Sequence, residues 1–322
     1  MSQFPLVDAW IDVHAHFSLP RSEEQRTAMW QSLQSDNWVG SAPPEWTLDE
    51  RLAYMDRVGI GMQMLSIVPT NHTLVTESNR YGAELVKKHP TRFGLLAGLP
   101  TDDAKAAIDE VQRAQELESD GYAVYCEYNG VSLADERLEP LWQTLNDCEA
   151  VVFVHPNHAV PGQCGRPGVL LEVAFQTASV IVDMLYAGVF KRYPSIRFIL
   201  AHCGGALPAL SGRLILLGNE SWVPNPEQID QEEMRSQLAS FYLDTAMTGS
   251  AQSLSAGVAM TSAEHLVYGS DCGAPCTTES TAIANIQELL AFNGLSSEQV
   301  EQIGRNALSL FPKAAKRMQI TE

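Results

Sequence analysis

A (β/α)8 TIM barrel is the α/β fold class this sequence predicts, and three observations predict it. Eight short apolar runs alternate with amphipathic stretches along the 322 residues, the pattern of repeated βα units around a parallel sheet. No GxGxxG follows the first run, and eight units are many for the competing doubly wound open sheet. At 45% hydrophobic content the chain can bury one large core, so residues 1–322 are expected to form a single barrel domain.

The first strand is read at Trp10 to His14, where apolar and β-favouring residues run into the breaking loop Ser18-Leu19-Pro20. Residues 17–46 have little periodicity, with Trp38, Trp46 and a Pro43-Pro44 pair, and are expected to form a long first βα loop, a lid over the barrel mouth. The helix Leu48 to Val58 opens on Thr47-Leu48-Asp49-Glu50, a capped start, and feeds the second strand, Gly61 to Val68. Helix Glu77 to His89 precedes strand three, Phe93 to Leu99, and helix Asp102 to Glu118 precedes strand four, Tyr122 to Tyr128. Helix Leu138 to Cys148 leads to strand five, Val151 to His155, and a long helix, Leu171 to Tyr193, to strand six, Arg197 to His202. Helices Leu207 to Leu217 and Glu232 to Leu238 lie before strand seven, Phe241 to Thr245. Helix Ser250 to Met260 then precedes strand eight, His265 to Ser270. Helices Glu279 to Asn293 and Ser297 to Arg305 follow, the latter opening on Ser296-Ser297-Glu298-Gln299, with a tail helix through Arg317.

The formal charge is −18, from 21 basic and 39 acidic residues, with no run of Lys or Arg, which argues against nucleic acid and anionic membrane as partners. A small anionic substrate then needs a local positive centre, and a bound metal cation supplies one. Six scattered cysteines read as reduced. Met1 to Asp8 has no signal-peptide pattern, and no stretch reaches the length of a bilayer span. The expectation is a cytoplasmic protein.

In a barrel, reactive side chains gather at the C-terminal ends of the strands. Strand one runs into His14-Ala15-His16, and a strand projects residues i and i+2 from the same face. Strand five ends in Val154-His155-Pro156, strand six in Ala201-His202-Cys203-Gly204-Gly205, and strand eight in Gly269-Ser270-Asp271-Cys272. Each position has a plain structural explanation by itself: His155 as a turn cap, His202 as a buried hydrogen-bonding residue, Asp271 as a helix cap. Together, imidazoles and one carboxylate converging on a barrel axis match the N/O ligand set of a catalytic divalent metal.

These residues, with Phe198-Ile199-Leu200-Ala201-His202-Cys203-Gly204-Gly205-Ala206-Leu207-Pro208 through Arg213 and Tyr268-Gly269-Ser270-Asp271, resemble the amidohydrolase superfamily. The resemblance is to its decarboxylase branch, typified by aminocarboxymuconate semialdehyde decarboxylase. Met55-Asp56-Arg57-Val58-Gly59, Arg92-Phe93-Gly94-Leu95 and Tyr193-Pro194-Ser195-Ile196 match in the same order. It implies that His14, His16, His155 and Asp271 hold one divalent metal, zinc or in some relatives manganese, with no organic cofactor. It also implies that His202 is the acid/base, and that Arg213 reaches a neighbouring subunit's substrate, hence a homodimer.

Binuclear members of that superfamily bridge two metals with a carboxylated lysine at the end of strand four. The run Gly121 to Tyr128 contains no lysine, so a mononuclear site is expected. Two departures bear on the substrate. The segment Cys272-Gly273-Ala274-Pro275-Cys276 replaces an aromatic and a proline, and Gly40-Ser41-Ala42-Pro43-Pro44 offers no match for an arginine of the type member. Both point away from the muconate semialdehyde, and the segments around Phe93 to Pro100 and Pro167-Gly168-Val169 look closer to salicylate-type and isoorotate-type decarboxylases. The reaction implied is non-oxidative decarboxylation of a small aromatic or unsaturated carboxylate with an adjacent hydroxyl or oxo group. A metal-dependent hydrolase or hydratase is the rival, since such a site can also activate water. His158, three residues after His155, is a further candidate to touch substrate.

Overall fold

The computed structural model describes residues 4, 7, 9–157, 160–247 and 250–318. Eight parallel strands pair in chain order: β1 (Trp10–His16), β2 (Ile60–Ser66), β3 (Phe93–Gly98), β4 (Gly121–Tyr125), β5 (Val151–His155), β6 (Arg197–Leu200), β7 (Tyr242–Asp244) and β8 (Leu266–Val267). The segment after β8 closes the ring against β1: Val13 donates to the Tyr268 carbonyl (2.9 Å), Asp271 to His14 (2.8 Å) and His16 to Cys272 (2.7 Å). The predicted (β/α)8 barrel is therefore the observed one.

Alternation along the strands builds two layers. Ile11, Val13, Met64, Phe153, Ile199 and Val267 belong to one buried cluster inside the ring, while Val152, Val154, Leu200 and Leu243 face the surrounding helices. Leu310, Phe311 and Ala314, from the end of helix Ser297–Leu310 and from Pro312–Arg317, join the inner cluster and plug the floor. Arg317 fastens this plug, reaching Asp120 (2.8 Å) and the Phe93 carbonyl at the foot of β3.

One irregularity sets the direction of the first two site histidines. Asp12 pairs with Gln63 and Ala15 with Leu65, so two residues of β1 oppose one of β2, a bulge. The bulge reverses the phase of the strand: Ile11 and Val13 point inward below it, His14 and His16 above it. Asp12 is thereby turned out of the barrel into a buried clasp, accepting from Gln63 Nε2 (2.8 Å), Ser270 N (3.0 Å), Ser270 Oγ (2.6 Å) and His14 N (3.1 Å).

Several elements differ from their sequence expectations: the helix expected from Glu77 starts at His72 on an Asn71 cap, and the last strand, expected over His265 to Ser270, is Leu266–Val267. β4 stops at Tyr125, because Glu127–Tyr128 pairs with Val131–Ser132 in a small antiparallel hairpin. The helix expected over Leu171 to Tyr193 is two, Glu172–Tyr186 and Val189–Arg192, divided at Gly188 in the left-handed region (φ +73°). The expected lid, 17–46, contains a helix, Glu23–Ser35, with a capping box between Ser22 and Gln25 and no buried residue. Its apolar face is too sparse to show periodicity, so the cap was its one sequence signal. No described helix is long and apolar enough to cross a membrane.

Candidate metal centre

At the C-terminal mouth of the barrel His14, His16, His155, His202 and Asp271 converge. One ligand atom each from His14, His155, His202 and Asp271 lies within 4.8 Å of all the others. His16 completes the group, its Nε2 3.1 Å from His14 Nε2 and 3.2 Å from Asp271 Oδ1.

The hydrogen bonds on the far side of each ring fix what it presents to the centre. His14 Nδ1 donates to Asp244 Oδ2 (2.6 Å), His16 Nδ1 to the Ser66 carbonyl (3.1 Å) and His155 Nδ1 to the Pro156 carbonyl (2.6 Å). A ring whose proton is held at Nδ1 turns a lone pair outward at Nε2, the arrangement found in histidines that bind metals. Asp271 Oδ1 lies 3.1 Å from His14 Nε2, and neither it nor the buried His155 Nε2 has a hydrogen-bond partner. Lone pairs facing one another and a carboxylate at such distances require a positive charge between them. A second proton on His14 meets that need in the metal-free chain. Burial opposes it, but Asp244 and Asp271 hold His14 up at about 10. A divalent cation would satisfy the three Nε2 atoms and Oδ1 together, so the donor set fits the group that the sequence implied.

The same field acts on the neighbours. Burial, reinforced by His16, His14 and His202, pushes His155 well below the ordinary histidine value and keeps it neutral. Burial would raise Asp271, yet the positive charge on His14 and the imidazoles of His16 and His202 close by hold it well below the usual carboxylate range.

His202 stands apart. Its backbone is left-handed (φ +54°), as are those of Cys203 (φ +54°), Gly204 and Gly205, a strained run at the end of β6. After the inward Ala201, this turn swings His202 to the centre and sends Cys203 into the outer layer. His202 Nε2 lies 3.9 Å from Asp271 Oδ2, and its buried Nδ1 has no partner. It is thus the least tethered imidazole of the group.

Asp244 was missed in the sequence. It ends β7 with its side chain inward, and the signal was present as an acidic residue two positions after the inward Tyr242. Arg213 is exposed on helix Leu207–Leu217 and forms no ion pair among the described residues. His158 lies outside the described residues. From the segment after β1, Asp36 receives Gly162 N on Oδ1 (2.8 Å) and Gly168 N on Oδ2 (3.0 Å), tying the first βα connection to the loop that follows His155.

The family described as Amidohydrolase matches residues 11–313. The chain belongs to the amidohydrolase family. Among its curated relatives, decarboxylase yanB of Aspergillus niger is 31% identical over 94% of this amidohydrolase and 87% of its own length. The 6-methylsalicylic acid decarboxylase of Penicillium expansum is 28% identical over 95% and 97%. The crystal structure of dihydroxybenzoic acid decarboxylase from Polaromonas sp. JS666, with bound manganese and the inhibitor 2-nitroresorcinol, shares the fold. Its TM-score is 0.78 at 23% identity, and the match covers 97% of this amidohydrolase and 100% of that chain.

Proposed function

We propose that this amidohydrolase is a metal-dependent carboxy-lyase that removes carbon dioxide from a salicylate-like acid, one with a hydroxyl beside the carboxylate. The observation that carries the reading is the junction of three Nε2 lone pairs and Asp271 Oδ1 with a loosely held imidazole beside them. The names of the relatives, a 6-methylsalicylic acid decarboxylase among them, support the substrate class.

His14, His16, His155 and Asp271 would hold the cation. When bound, it supplies positive charge that neutralises and orients the substrate's carboxylate and hydroxyl oxygens. His202, protonated at Nε2 and facing Asp271, delivers its proton to the ring carbon that carries the carboxylate. The carbon–carboxylate bond then breaks, its electron pair restores the aromatic ring, and carbon dioxide departs. His202 recovers a proton from solvent. No electron is gained or lost overall, so the scheme asks for no organic cofactor.

Zinc is the metal we propose, on the three-imidazole, one-carboxylate donor set, with manganese the alternative that the Polaromonas structure supports. We also propose a homodimer in which Arg213 reaches the neighbouring site. Leu216 (66% exposed), Trp222 (67%) and Phe175 (51%) are exposed on and around the packed helices Leu207–Leu217 and Glu172–Tyr186, an apolar surface suited to a second copy. All six cysteines are free, which supports a cytoplasmic location.

A panel of hydroxybenzoates and lactones, followed for carbon dioxide and for simple hydrolysis, tests the reading. Carbon dioxide should appear from an ortho-hydroxy acid with the metal-loaded chain and not after chelation. Lactone hydrolysis with no carbon dioxide from any acid would replace it with the hydrolase.

A further inference from the structure

The segment that departs from the family pattern, Cys272-Gly273-Ala274-Pro275-Cys276, bends back on itself and returns the chain to Asp271. Gly273 makes this possible: its φ is +94°, and a Cβ there would lie 2.2 Å from the His16 carbonyl oxygen. Thr277 N closes the turn on the Ala274 carbonyl (3.0 Å). The result is a hydroxyl behind the carboxylate, with Thr277 Oγ1 donating to Asp271 Oδ2 at 2.9 Å. Cys276 Sγ is a weaker second donor to the same oxygen, at 3.6 Å.

The two oxygens of Asp271 therefore have different surroundings. Oδ1 faces His14 and His16 and has no hydrogen bond, while Oδ2 is occupied from behind by Thr277 and lies 3.9 Å from His202 Nε2. We propose that Thr277 is a positioning residue that holds Asp271 to a single metal-facing oxygen. A carboxylate pinned at Oδ2 cannot swing both oxygens toward a cation, so a coordination position stays open for substrate. This rests on the metal reading given above. Hydrogen bonds behind a ligand tune its affinity as well as its direction.

The test uses the whole chain and two metals, Zn2+ and Co2+. Zinc affinity is measured by competition with a chelator, and the visible absorption of bound Co2+ reports coordination number, four-coordinate sites absorbing more strongly than five- or six-coordinate ones. Thr277→Val, which keeps the shape and removes the donor, should lose roughly 10- to 100-fold in zinc affinity and weaken the Co2+ absorption. Thr277→Ser should restore both, and Cys276→Ala should leave both near the starting protein. Thr277→Ala serves in place of the valine variant if that one does not fold. Zinc affinity and Co2+ spectrum unchanged in the donor-less variant overturn the proposal, as does a Cys276→Ala variant that alone reproduces the loss. A starting protein that takes up neither metal would instead overturn the metal reading itself, so the two failures are distinct.

Discussion

His14 Nδ1 and Asp244 Oδ2 are 2.6 Å apart, and both side chains are completely buried. Asp244 also receives Ala246 N (3.0 Å), so its carboxylate is fixed by the turn after β7 and in turn fixes the imidazole at the centre of the cluster. Replacing Asp244 by Ala should leave a buried N–H without an acceptor, costing about 1–3 kcal/mol of stability. It should also lower metal affinity roughly 10- to 100-fold. Thermal unfolding and elemental analysis of the purified variant check both numbers.

His202 is the imidazole with the fewest restraints, and a proton carrier needs that freedom. His202→Asn should therefore retain its metal and lose most turnover, by about 100-fold or more. Metal content and carbon dioxide release measured on the same sample separate the two effects, and near-normal turnover would remove His202 from its assigned role.

Because Asp244 and Asp271 raise His14 to about 10 in the metal-free chain, His14 carries a second proton at pH 8. A cation must displace it. The folded value lies above the ordinary histidine value of 6.5, so the proton is present below about 10 and absent above it. Metal uptake at pH 8 should release about one proton from this ring, and that release should vanish as the pH rises past 10. Titration calorimetry in two buffers of different ionisation enthalpy counts the protons.

Asp36 joins the first βα connection to the loop after His155 through two backbone N–H groups. Asp36→Ala should loosen both segments together, speeding proteolytic nicking within 17–46 and raising KM more than it changes kcat. Unaltered digestion would show that the clasp carries no weight in holding the mouth.

Arg213 is exposed in a single chain, and the proposed homodimer would bring it to a neighbour's site. Arg213→Ala should raise KM and leave the melting temperature in place. Mixing it with a metal-free His155→Ala protein extends the test, because a shared site would let one subunit type supply the arginine and the other the metal. Kinetics identical to the starting protein would take Arg213 out of substrate binding.

Much of this was legible in the sequence because alternation and strand ends are local. Val152 and Val154 outward with Phe153 and His155 inward follow from a period of two, and so does Asp271 four residues beyond the inward Val267. His14 and His202 reach the same centre by breaking that period, one through a bulge and the other through left-handed backbone. The pairing of His14 with His16 was readable, but the bulge that lets Val13 and His14 both point inward depends on how β1 registers against β2. Asp244 and Thr277 stayed hidden for a related reason. Their importance lies in contacts across 230 residues in one case and around a folded turn in the other.

The plug of Leu310, Phe311 and Ala314 closes the floor of the barrel, opposite the end where the site histidines gather. Acid would then enter, and the decarboxylated ring leave, on the side of the strand ends. A product ring still seated at the strand ends would compete with incoming acid for the same place.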